Sequence, residues 1–165
     1  MVSDSRAAKT VSPADIVALA AEAMASPRRR SHRNLHAAPG EPVQRLLMAA
    51  EPDTYVQPHR HPDKPWEMIV LLSGALDVLL FSEDGQLEQR IALRPDGERL
   101  IEYPGGVYHA AVVLEPATAV LEIKQGPYDP STAKELPAWA PAENTDDGAP
   151  FRDFMRTMKV GARAG

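Results

Sequence analysis

The chain has 165 residues, no cysteine and a formal net charge of −5. That length suits one domain, since domains cluster at about 100–150 residues, and 44% hydrophobic with 25% charged residues is globular, not disordered. Without cysteine, a disulfide framework, a cysteine zinc finger, an iron–sulfur cluster and a thiol nucleophile are all excluded. No apolar run reaches the ~18 residues a membrane span needs, and the polar start Met1-Val2-Ser3-Asp4-Ser5 carries no signal-peptide core. A cytoplasmic protein with no membrane partner is expected, and the acidic balance argues against nucleic-acid binding.

Residues 1–11 read as a frayed terminus. A helix is expected from Ser12: Ser12 caps, Pro13 suits the first helical position, and Asp15 stands where a capping-box acid belongs. Ile16, Val17, Leu19, Ala20 and Met24 are read as its apolar face, and Pro27 as its end. The basic run Arg28-Arg29-Arg30 follows, read as a solvated helix end.

From residue 43 the pattern predicts strands over 43–51, 67–73, 75–81, 87–93, 99–103, 107–114 and 118–124. Turn signals separate them, Asp84-Gly85 and Asp96-Gly97 being the strongest. Short strands at this spacing, with no helices between them, predict a sandwich or barrel and exclude a parallel sheet with helical crossovers. Beyond Gly126 the chain is Pro-rich (Pro127, Pro130, Pro137, Pro141) and reads as an irregular strap with Trp139 as anchor. A short last helix is expected over 151–158. The organisation is therefore an N-terminal helix and basic segment (1–40), a barrel core (41–126) and a C-terminal extension (127–165), all within one domain.

The segment from Pro58 to Glu67 carries the chemistry. On a strand His59 and His61 face one way and Arg60 the other. Paired imidazoles suit a dry core poorly, because both ring nitrogens of each need partners; a divalent metal satisfies such a pair. Glu67 or Asp63 offers a carboxylate, and His109, just after Pro104-Gly105-Gly106, offers a third imidazole from another strand.

These residues resemble the two motifs of the cupin superfamily. His59, His61, Glu67 and Gly74 fall as in the first, with six residues between Glu67 and Gly74. Pro104, Gly105 and His109 fall as in the second. The resemblance implies an all-β jelly-roll barrel in which His59, His61, Glu67 and His109 hold one divalent ion, with Fe, Mn, Ni, Zn and Cu not distinguished. Five residues separate His61 from Glu67 where three or four are usual, which leaves Asp63 as the rival carboxylate. The string from Tyr55 to Glu67, with Val43-Gln44-Arg45, the stretch Leu121 to Tyr128 and Trp139-Ala140-Pro141, is similar to the WbuC family of cupin-fold metalloproteins. That resemblance spans roughly residues 28–143. Members are tied to surface-polysaccharide synthesis, which implies a sugar-like or hydroxylated small-molecule ligand.

Three roles follow as expectations: a metal-dependent isomerase or epimerase, an Fe(II)-dependent dioxygenase, or a non-catalytic metal-dependent sugar binder. Arg33, Asn34, His36, Glu122 and Lys124 are candidate substrate-binding residues. Glu122 and Lys124 share one strand face. Apolar runs on both faces, Leu79-Leu80-Phe81 and Val112-Val113-Leu114, predict a homodimer.

Overall fold

A computed structural model describes residues 8–164; most of the terminus read as frayed lies outside the described residues. In chain order the elements are α1 (Pro13–Ala25), β1 (Arg30–Asn34), β2 (Val43–Ala50), β3 (Glu67–Ser73) and β4 (Leu76–Phe81). β5 (Leu87–Leu93), β6 (Leu100–Tyr103), β7 (Tyr108–Val113), β8 (Thr118–Gln125) and α2 (Gly148–Thr157) follow. All strand pairs are antiparallel, in a five-stranded sheet ordered β1-β2-β8-β3-β6 and a three-stranded sheet ordered β5-β4-β7. The architecture is the expected jelly-roll barrel. No helix among the described residues is long and apolar enough to cross a membrane.

The capping box forms as read: the Asp15 N–H donates to Ser12 Oγ (3.2 Å) and the Ser12 N–H to Asp15 Oδ2 (2.9 Å). The buried stripe of α1 is narrower than expected. Leu19, Ala20 and Ala23 pack on Leu47 and Ala49 of β2, whereas Val17 and Met24 are exposed. Val17 and Met24 stand seven residues apart on a second face of the helix, so a single apolar stripe does not contain both sets.

Strand alternation sorts the rest of the core. Leu76, Val78 and Leu80 of β4 meet Ile69, Leu71 and Val120 inside the barrel. Leu79 and Phe81 face outward, where Met155 and Met158 of the C-terminal segment and partly buried Trp139 and Phe151 cover them. The two-faced apolarity of β4 and β7 is thus satisfied within one chain, by α2 and the strap. Trp139 anchors as expected, its ring 5.1 Å from that of Phe81 and its indole N–H donating to the Glu83 carbonyl at 3.1 Å.

The sequence pattern missed β1. Its residues Arg30-Ser31-His32-Arg33-Asn34 are all polar, and the strand exists because it pairs in register with β2, Arg30 opposite Ala50 through Asn34 opposite Leu46. The basic run is therefore not a free helix end. Arg30 opens the strand, and Arg28 and Arg30 both pair with Glu143 beyond the strap.

Candidate metal centre

His59 and His61 lie on an extended segment joined to the barrel by isolated bridges and not on a full strand. The His59 N–H donates to the His109 carbonyl (3.0 Å) and the His109 N–H to the His59 carbonyl (2.8 Å), which seats the two motifs side by side. The His61 N–H donates to the Gly105 carbonyl at 2.7 Å. Gly105 is glycine because the Lys64 backbone crosses it: a Cβ there would stand 2.4 Å from the Lys64 carbonyl oxygen.

The three imidazoles converge, with one ring nitrogen of each within 4.8 Å of the others. The opposite nitrogen of every ring is spoken for. His59 Nδ1 bonds to the Gln57 carbonyl (2.8 Å), His109 Nδ1 to the Val107 carbonyl (2.9 Å) and His61 Nδ1 to the Ala133 carbonyl. A carbonyl only accepts, so each Nδ1 carries a proton, and a ring that is neutral presents its lone pair at Nε2. Burial, then the neighbouring His109 and His61 rings, pushes the His59 pKa well below 6.5, and burial lowers that of His109.

Glu67 is 2% exposed at the head of β3. Its Oε2 lies 3.1 Å from His61 Nε2 and 3.4 Å from His109 Nε2. Burial raises its pKa, but His109 and His61 in their protonated forms, with the Lys124 ammonium, outweigh that and hold the carboxyl below its ordinary value. Asp63, the rival carboxylate, is exposed. Glu67 Oε2 and His109 Nε2 are buried without a hydrogen-bond partner. Acceptors turned on one another at a buried site are costly unless a cation lies among them, so the residues present fit a divalent ion.

A cavity of about 350 Å³ opens over His59 and His61. Its floor is the inner face of β2 and β8, including Leu46, Met48, Glu122 and Lys124, and its roof is the strap from Pro127 to Lys134. Glu122 and Lys124 form a pair at 2.6 Å, each side chain 16% exposed, with Lys124 Nζ 3.4 Å from His61 Nε2. Burial lowers the Lys124 pKa, yet the Glu122 and Glu67 charges more than offset it, and the group stays cationic with its pKa raised.

The other three candidates do not line this cavity. Arg33 turns to α1, 3.5 Å from Asp15 and 3.4 Å from Glu22. Asn34 is exposed at the end of β1. His36 is buried, its Nδ1 bonded to the Arg45 backbone at 3.0 Å. Sequence reasoning missed the Ala133 carbonyl, which no side-chain pattern encodes. It also missed the inward role of Tyr103, whose ring lies 4.8 Å from that of His109 with its hydroxyl buried and unpartnered.

Comparison with solved structures agrees on the fold. KdgF from Halomonas sp. aligns with a TM-score of 0.50 at 20% identity over 64% of this chain and 86% of its own. The capsular polysaccharide assembling protein CapF from Staphylococcus aureus aligns with a TM-score of 0.54 at 17% identity, over 65% of this chain but 30% of its own. Oxalate decarboxylase from Bacillus subtilis aligns with a TM-score of 0.50 at 17% identity, over 65% of this chain and 27% of its own. These are cupin-fold proteins, and at such identities the likeness shows the fold alone. No curated protein sequence matches the chain. One family model does match, over residues 11–93, a stretch that runs from the cap of α1 to the end of β5 and takes in His59, His61 and Glu67. On that match, which covers about half its length, the chain belongs to the family described as Domain of unknown function (DUF6016).

Proposed function

We propose that this protein is a mononuclear metal-binding cupin in which His59, His61, Glu67 and His109 hold one divalent ion, and that it binds or transforms a small hydroxylated, sugar-like molecule. The observation that carries the metal is the convergence of unprotonated acceptors: Glu67 Oε2 and His109 Nε2 are buried without partners, and every Nδ1 proton is held elsewhere. A bound ion would supply Lewis-acid polarisation of a chelating ligand oxygen. The chain's own residues do the rest. The Glu122–Lys124 pair offers a donor and an acceptor side by side on the cavity floor, suited to a hydroxyl or carboxylate beside the metal.

The sugar-like ligand is supported by the resemblance to the WbuC family and by the fold shared with CapF, a capsular polysaccharide assembling protein. A homodimer is proposed with it, supported by Leu72 and Leu100, which are exposed on β3 and on β6 at the margin of the larger sheet. A light-scattering mass near 18.0 kDa at micromolar concentration would overturn the dimer.

Elemental analysis of untagged protein purified without added metal tests the metal reading. One divalent ion per chain is expected. Protein that arrives empty and takes up no zinc, manganese, nickel or ferrous iron on titration would overturn it.

A further inference from the structure

His59 and His109 each take their Nδ1 acceptor from a carbonyl two residues earlier in the chain, Gln57 and Val107. His61 takes its acceptor from Ala133, 72 residues away on the strap. The orientation of His61, alone of the three, depends on how the strap is seated. The seat lies two residues beyond Ala133, at Glu135, and its partner is Arg60, the residue between the two histidines. The Arg60 N–H donates to the Glu135 carbonyl (3.0 Å) and the Glu135 N–H to the Arg60 carbonyl (2.9 Å). The Glu135 carboxylate accepts from the Arg60 guanidinium (2.6 Å) and from the Tyr108 hydroxyl (2.9 Å), and the guanidinium lies 4.5 Å over the Tyr108 ring.

We infer that Glu135 is a positioning residue for the metal centre: clamped to Arg60, it seats the strap so that the Ala133 carbonyl holds His61 with its proton on Nδ1 and its Nε2 free for the ion. Glu135 is 45% exposed, and an ion pair at that exposure adds little to global stability. Its consequence is local, because the carbonyl it places is the outer partner of an imidazole ligand, and such partners fix ring tautomer and orientation. Strap residues from Pro127 to Lys134 also roof the cavity, so one clamp sets both the roof and the ring beneath it. The effect on metal affinity rests on the metal reading above; the effect on the His61 tautomer does not.

The test uses the full chain, labelled with ¹⁵N-histidine and stripped of metal, with imidazole tautomers read by long-range ¹H–¹⁵N correlation at pH 7.5. In the wild type, His59, His61 and His109 should all be Nδ1-protonated. E135A removes the side-chain clamp and E135P also removes the N–H that bonds to Arg60. Both should move His61 toward Nε2 protonation, E135P further, while His59 and His109 stay as they are. Zinc affinity by competition should fall in the same order, reaching about 10–100-fold for E135P. E83Q, which removes the other carboxylate on Arg60 without touching the strap, should leave the His61 ring and zinc affinity as in the wild type.

A His61 ring that remains Nδ1-protonated in E135P, a joint shift of all three rings, or an E83Q effect equal to that of E135A would overturn the assignment. A wild-type chain that shows the three tautomers but takes up no zinc overturns the metal reading and leaves the positioning role of Glu135 standing.

Discussion

Glu67 Oε2 stands 3.1 Å from His61 Nε2, and the proton of that ring is held on the opposite nitrogen by the Ala133 carbonyl. With that ring neutral, two buried acceptors so close repel unless positive charge lies between or beside them. Lys124 supplies part of it, 4.0 Å from Glu67 Oε1 and 3.4 Å from His61 Nε2. A divalent ion would supply the rest.

The choice of carboxylate follows. Glu67→Ala should weaken zinc binding at least tenfold by competition titration, since it would remove one of the four proposed donors. Asp63→Ala should change it less than twofold, because Asp63 is exposed. The reverse pattern would mean that the longer gap between His61 and Glu67 had displaced the motif.

Acid should act on the metal-free protein through half-buried His59 and buried His109. His59 and His109 have folded-state pKa values below the ordinary one. Such a group contributes stability that is complete above the unfolded pKa of about 6.5 and is lost as pH falls through the lowered folded value. Tm of the metal-free chain should be level from pH 8 to about 6.5 and fall below that. Because the folded rings resist protonation, zinc should remain bound at pH 6 and leave at lower pH. A Tm that rises on acidification through this range would contradict the burial of neutral rings.

Gly105 and Gly106 make a matched pair. Gly105→Ala pushes a methyl into the Lys64 carbonyl, so it should cost about 1–3 kcal/mol in denaturant unfolding and weaken metal binding by moving the His61 segment. Gly106→Ala meets nothing within 4 Å and should stay within about 0.5 kcal/mol of the wild type. Equal effects at the two positions would refute the close approach.

The helix α1 is a cover for the barrel and lies apart from the site. Leu19 is fully buried against Leu47 and Ala49. Leu19→Ala should destabilise the protein by about 2–5 kcal/mol in urea unfolding, with zinc affinity unchanged at temperatures where it remains folded. A parallel loss of metal would tie α1 to the centre.

Much of this was legible in the sequence because it is local chemistry. Ser12 and Asp15 announce the helix start, and β3 and β5 fall where alternation and turn residues place them. The convergence of His59, His61, Glu67 and His109 was legible through the two motifs. What stayed hidden depends on partners distant in sequence. β1 has no apolar residue to signal it and exists by pairing with β2. Arg33, a substrate-binding candidate in the sequence, is instead drawn to Asp15 and Glu22 of α1. The Ala133 carbonyl belongs to the backbone, which carries no residue signature. The doubly apolar β4 suggested a partner chain, but α2 and the strap are that partner.

X-ray absorption at the zinc edge of the zinc-loaded full chain reads the proposed ligand set itself. Three imidazole nitrogens and at least one carboxylate oxygen should surround the zinc, with one imidazole lost in each of His59→Ala, His61→Ala and His109→Ala. A wild-type shell with fewer than three imidazoles, or one unchanged by His109→Ala, would contradict it.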